Sequence, residues 1–99
     1  MQLGKIIGTV VSTHKDRKLA GLKLQLVRFL NLDLTPAGGF VVAVDGVGAG
    51  EGEVVLVASG SSARLTPDTE GKPVDAVIMA IVDELEIEGR QRYRKGFDD

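Results

Sequence analysis

Apolar and polar residues alternate with period two in several short stretches of the chain. Leu22, Leu24 and Leu26 alternate with Lys23 and Gln25, and Leu30, Leu32 and Leu34 alternate with Asn31 and Asp33. Phe40 to Val44 and Val54 to Ala58 are short, continuous, Val-rich runs. Such runs suit strands covered on both faces or strands of a closed barrel. Val74 to Val82 is a longer run, and Leu85 and Ile87 continue it as an alternation with Glu84, Glu86 and Glu88. A helix there would set Glu84 against Glu88 at i, i+4, where like charges repel. A strand places the three glutamates on one solvated face, so a strand is predicted. No window carries apolar residues at the helical spacing of i, i+3, i+4 and i+7.

Turn chemistry falls between these runs. His14-Lys15-Asp16-Arg17 and Pro36-Ala37-Gly38-Gly39 read as turns, Gly46 to Gly52 as a glycine-rich loop and Pro67 to Pro73 as a polar loop. Ser59 to Ala63 is a small-residue segment that suits one short helical turn. The expected fold is all-β, a small barrel of about five or six strands. Closure would remove sheet edges, which matters in a chain so rich in Val and Ile.

Composition narrows the function. The 99 residues make one small domain, and the chain has no cysteine. Disulfides, thiol nucleophiles and cysteine-ligated metal are therefore excluded. The net charge of −2 opposes a general nucleic-acid binder. The longest uninterrupted apolar run, Ala76 to Val82, is far shorter than the ~20 residues a membrane helix needs. No targeting or spanning segment is expected, and a reducing, cytosolic setting follows.

Candidate chemistry is sparse. The loop Gly46-Val47-Gly48-Ala49-Gly50-Glu51-Gly52-Glu53 fails the dinucleotide fingerprint, since Glu51 or Glu53 falls where its last glycine belongs. A strand follows it, where a helix N-terminus would be required. It contains no lysine for a phosphate loop, and its glutamates would repel phosphate. Glycines at such density mark backbone that adopts positive φ or lets another backbone come close. His14 is the only histidine, so no multi-histidine metal site exists, and no serine sits in a Gly-x-Ser-x-Gly elbow. Asp45, Glu51, Glu53, Asp75 and Asp83 adjoin apolar strands, but strand-end carboxylates ordinarily bind turn N–H groups. Only four aromatics are present and no Trp, which gives no sugar platform. Neither catalytic nor metal-binding residues are assigned, and no cofactor is expected. The basic stretch Arg90-Gln91-Arg92-Tyr93-Arg94-Lys95, followed by Asp98-Asp99, reads as a mobile tail beyond a domain spanning 1–87.

The motifs taken in order resemble one family. Gly8-Thr9-Val10-Val11 and Lys23-Leu24-Gln25-Leu26-Val27 open the match. Its densest part is Val42-Ala43-Val44-Asp45, then Gly48-Ala49-Gly50-Glu51-Gly52-Glu53 and Val54 to Val57. Gly60-Ser61-Ser62-Ala63-Arg64, Pro73 to Ala76 and Ile81-Val82-Asp83 complete it. This series is similar to the EutN/CcmL family of bacterial microcompartment proteins. The resemblance implies an OB-like β-barrel that forms a cyclic homopentamer. It implies a structural role without catalysis, capping the five-fold vertices of a shell in the bacterial cytoplasm beside hexameric shell proteins. Carried onto this chain, it places Asp45, Gly48, Gly50, Gly52, Glu53, Gly60, Ser61, Ser62 and Arg64 at subunit contacts or near the axis. No nucleic-acid or membrane partner is implied. The competing reading is an OB-fold module for a ligand or oligonucleotide, which acidity and scarce aromatics oppose.

Overall fold

The computed structural model describes residues 1–97, and Asp98 and Asp99, the acidic end of the expected tail, lie outside the described residues. Seven strands form: β1 (Gln2–Val10), β2 (Lys23–Leu30), β3 (Pro36–Asp45), β4 (Val54–Ser59), β5 (Ala76–Ile81), β6 (Glu84–Ile87) and β7 (Arg90–Arg94). The first five close into a barrel in the order β1-β2-β3-β5-β4, and β6 and β7 pair as a separate hairpin. All barrel pairs are antiparallel except β3 with β5. The only helical pieces among the described residues are 3-10 turns at Arg17–Leu19 and Gly60–Arg64. The all-β barrel and the short turn near Ser59–Ala63 were both expected.

A narrow barrel needs small interior side chains, and this one is filled by Ile6, Val27, Ala43, Ala49, Val55, Val57, Ala76 and Ile78. Burying each larger member stabilises the fold by roughly 1.5–3 kcal/mol before entropy is counted. Gly4 marks the tightest approach, because a Cβ there would stand 2.4 Å from Val27 Cγ1. A second apolar layer lies outside the wall. Val44, Ala58 and Val77 point outward and are roofed by Ala63 of the Gly60–Arg64 turn, with Leu22, Leu24 and Val74 around them. Along β2 the leucines are therefore half-buried, and the fully interior positions are Gln25 and Val27.

Three expectations need correction. The alternation Leu30-Leu32-Leu34 is not one strand: β2 stops at Leu30, and Asn31 to Thr35 turn. Asn31 N–H donates to Thr35 O, Leu34 N–H to Asn31 O, and Thr35 donates its N–H and hydroxyl to Asp33 Oδ1. These local side-chain bonds outcompete the strand ladder. Pro36 to Gly39, expected as that turn, instead begin β3. Proline is tolerated at a first strand position. The positive φ of Gly38 and Gly39 goes with an irregular register between Arg28 and Leu30. Finally, Arg90–Arg94 is no loose tail but the second strand of the β6–β7 hairpin, with Tyr93 only 2% exposed. The turn between them, Glu88-Gly89, has positive φ at both residues, as a two-residue hairpin loop requires. Glu88 thus leaves the face that Glu84 and Glu86 share, and residue 87 ends the first strand of this hairpin.

Candidate assembly surface

Asp45 ends β3 with its side chain turned into the barrel mouth and is 9% exposed. Its Oδ1 accepts the backbone N–H groups of Val47 and Gly48, each at 3.0 Å. This is the strand-end carboxylate binding a turn, as the sequence suggested. Its Oδ2 accepts Gln25 Nε2 at 3.2 Å, and the same amide donates to Ala49 O at 2.8 Å. Gln25 Oε1 accepts the Thr9 hydroxyl at 2.9 Å. Three strands and the glycine loop are thereby tied through one buried amide. Among the described residues no buried side-chain polar atom is left without a partner.

The far side of the loop is held by Glu53. Its Oε1 accepts Gly50 N–H at 2.6 Å, and its Oε2 forms an ion pair with Lys95, whose N–H donates to Asp83 O. The loop is also stitched to β1, with Ile6 N–H donating to Glu53 O and Gly52 N–H to Ile6 O. The Lys95 ammonium first, and the Gly50 N–H second, hold the Glu53 carboxyl below its ordinary value of 4.5. Of the expected loop glycines, Gly48 and Gly52 adopt positive φ and Gly50 does not. A Cβ on Gly50 would meet only Glu53 Oε1 at 3.4 Å, so positive φ is no ground for glycine there.

The second group of expected residues lies elsewhere. Gly60 opens the 3-10 turn at positive φ, and its N–H donates to Asp75 O at 2.8 Å. Ser62 donates its hydroxyl to Ser59 O, and Arg64 donates to Val74 O at 3.2 Å. Ser61, Ser62 and Arg64 are exposed while Ala63 anchors the turn in the outer apolar layer. Glu53 and Gly60 flank β4 at its opposite ends, roughly 20 Å apart at strand rise, whereas Gly46 lies against Asp68, four positions past Arg64. The structure thus gathers Asp45, Gly48, Gly50, Gly52 and Glu53 in the loop that precedes β4, and Gly60, Ser61, Ser62 and Arg64 in the turn that follows it.

The organising residues that sequence reasoning passed over are Gln25, Thr9 and Lys95. Glutamine inside an alternation reads as surface, and nothing local signals its partners 20 and 24 positions away. His14 is exposed in the β1–β2 connection. Among the described residues no three His, Cys, Asp or Glu side chains gather into a set able to hold a metal ion. What the arrangement offers is backbone held in place in the loop before β4 and in the turn after it.

Comparison with known proteins gives that surface a context. The family model described as ethanolamine utilisation protein EutN/carboxysome matches residues 1–83. The bacterial microcompartment shell vertex protein GrpN of Rhodospirillum rubrum is 50% identical over 86 residues, 87% of this chain and 97% of that protein. The carboxysome shell vertex protein CcmL of Synechocystis is 45% identical over 98 residues, 99% of this chain and 98% of that protein. Among solved structures, Gloeobacter violaceus CcmL superposes with a TM-score of 0.92 at 41% identity, covering 96% of this chain and 98% of that one. The pentameric microcompartment shell protein GrpN superposes at 0.79 with 49% identity, covering 88% of this chain and all of its own.

Proposed function

The chain belongs to the EutN/CcmL family, and from that membership we propose that it is a structural shell protein, a homopentamer that caps the five-fold vertices of a bacterial microcompartment. The observation that carries this reading is a pentameric shell relative at 49% identity that aligns over its whole length. Heterologous contacts between identical subunits close into a ring when the rotation per subunit permits. A small barrel whose glycine loop is held by the Thr9–Gln25–Asp45 network and whose Gly60–Arg64 turn is anchored by Ala63 suits such a wedge.

In this reading the glycine loop with Asp45, Gly48, Gly50, Gly52 and Glu53 serves subunit contacts or the region near the axis. The Gly60, Ser61, Ser62 and Arg64 turn does the same. The shell domain runs from the barrel through the β6–β7 hairpin, past the expected boundary at residue 87. Hexameric shell proteins surround the pentamer in the facets, within the bacterial cytoplasm. The role is mechanical closure and not catalysis. Exposed, preorganised backbone supports it, since backbone contacts need shape and rigidity more than reactive groups.

The test is shell closure. Shells assembled from the facet proteins of the same compartment, with and without this chain, are compared by electron microscopy and by leakage of an encapsulated fluorescent cargo. Closed polyhedra with this chain, and leaky or elongated ones without it, are expected. Closed, tight shells in its absence, with no related vertex protein present, would refute the proposal.

A further inference from the structure

Charge is divided unevenly along the chain. Residues 1–44 hold six Lys and Arg against two Asp and Glu, and residues 45–99 hold six against twelve. Such asymmetry within one domain sets up a local field that a partner of opposite charge can use. Part of the cationic excess lies in the β1–β2 connection, where Lys15, Arg17 and Lys18 are all exposed. The carboxylate set among them is engaged locally, because Asp16 Oδ1 accepts the Lys18 backbone N–H at 2.8 Å. Among the described residues none of the three cations pairs with a carboxylate. Nothing in the fold uses their charge.

The same connection supplies one wall of an apolar groove. Leu19, the last residue of the Arg17–Leu19 turn, lines it on one side. Leu24, Val42 and Val44 line it from the β2–β3 outer face, and Pro73 and Val74 from the loop before β5. The groove continues the outer apolar layer, to which Leu24, Val44 and Val74 belong. Val42 is 45% exposed, so apolar surface meets water there. The groove holds about 200 Å³. That is below the roughly 300–1,000 Å³ of a small-molecule site and suits an aliphatic side chain or two.

These two features select the occupant. Asp75 also lines the groove, next to Val74, and repels a carboxylate at that end. The anionic end of a bound segment is therefore the one beside Lys15, Arg17 and Lys18. An apolar anchor with a charged border is the usual anatomy of a specific contact, and the charges set its direction. Nucleic acid fits poorly, because single strands stack on aromatic rings and no Phe or Tyr lines the groove.

We infer that this groove docks an acidic segment of another protein, in which an aliphatic anchor is followed by carboxylates. The anchor enters between Leu19, Val42 and Val74, and the carboxylates meet Lys15, Arg17 and Lys18. The inference does not rest on the ring reading above.

Fluorescence anisotropy of the full chain with a labelled peptide of two leucines followed by four glutamates tests this. Saturable binding that weakens as salt rises is expected. Replacing either the glutamates or the leucines of the peptide by serine should weaken binding about tenfold. Arg17→Glu with Lys18→Glu should weaken it by a similar factor, as should Val42→Asn, with unchanged far-UV spectra. Leu19→Ser stands in for Val42→Asn if that variant misfolds. Sedimentation velocity should show the labelled peptide travelling with the assembled protein. No saturable binding by wild type would overturn the inference. Unchanged binding by the charge-reversed variant would do the same. Equal binding of the peptide without leucines would reduce the site to diffuse charge and overturn the groove. A thymidine oligonucleotide that displaces the peptide more readily than unlabelled peptide does would reassign the cations to nucleic acid. Loss of self-assembly in Val42→Asn, or exclusion of the peptide from the assembled protein, would give the groove to a second copy and overturn the inference. A monomeric wild type that binds the peptide would support this inference while removing the ring reading.

Discussion

A methyl group on Gly4 would stand 2.4 Å from Val27 Cγ1 and 3.2 Å from the Arg28 carbonyl oxygen. Val27 is fully buried in the barrel and cannot swing aside freely. Gly4→Ala is expected to destabilise the fold by about 1–3 kcal/mol, the usual cost of overpacking. Thermal melting checks this, and an unchanged midpoint would show that the wall yields. Gln25 is the opposite case, a polar side chain kept in the interior because each of its atoms is paired. Gln25→Ala strands the Thr9 hydroxyl and the Ala49 carbonyl and opens a cavity. A loss of about 2 kcal/mol or more is expected in denaturant titration, since an unpaired buried polar group costs about 1–3 kcal/mol. Gly50 contrasts with Gly4, because φ there is not positive and a Cβ meets only a flexible glutamate tip. Gly50→Val should therefore melt within about 1 kcal/mol of wild type. If the loop is a subunit contact, the same variant should lose pentamer on a sizing column. A stable, fully pentameric variant would take Gly50 out of the contact.

The elements differ in how openly the sequence announces them. Strands β3, β4 and β5 show as Val-rich runs because the barrel interior covers one face and the outer apolar layer covers part of the other. The Leu30-Leu32-Leu34 alternation misleads, because Asn31 and Asp33 capture local N–H groups that a strand would have paired across the sheet. Strand β7 is hidden by its arginines. Its signal is Glu88-Gly89 set between Glu-x-Glu and Arg-x-Arg, which pairs Glu84 with Arg94 across the hairpin. An isolated two-stranded hairpin is marginal in water, so its ties to the barrel matter. One tie is Lys95 to Glu53, which also holds Gly50. The folded Glu53 carboxyl is held below its ordinary value of 4.5, so the unfolded state takes up the proton first. Stability from this pair is therefore complete above the ordinary glutamate range and is lost as pH falls through the lowered folded value. The protection factors of the Lys95 and Phe97 amides, corrected for the intrinsic exchange rate at each pH, should fall on acidification in wild type. In Glu53→Gln protection should be low already at neutral pH and change less on acidification. Equal protection in both proteins at neutral pH would show that the hairpin is held by other contacts.

At the scale of the whole molecule, one buried network and one ion pair hold the glycine loop, and Ala63 with the bonds from Gly60 to Asp75 O and from Arg64 to Val74 O holds the turn after β4. The barrel closes on itself, yet among the described residues the first part of β3 has no strand paired on its second edge, beside exposed Phe40 and Val42. That edge was not legible in the sequence. Which face of a strand points outward depends on register, and a shift of one residue reverses it. An assembly role for the glycine loop and the serine turn was suggested only by the family resemblance, because glycines and serines carry no chemistry that names a partner. A ring-forming vertex subunit assembles in fives. Native mass spectrometry of the purified chain at low micromolar concentration tests it most directly. A dominant five-subunit species is predicted, and a population of monomers or dimers with no five-subunit peak would contradict the account.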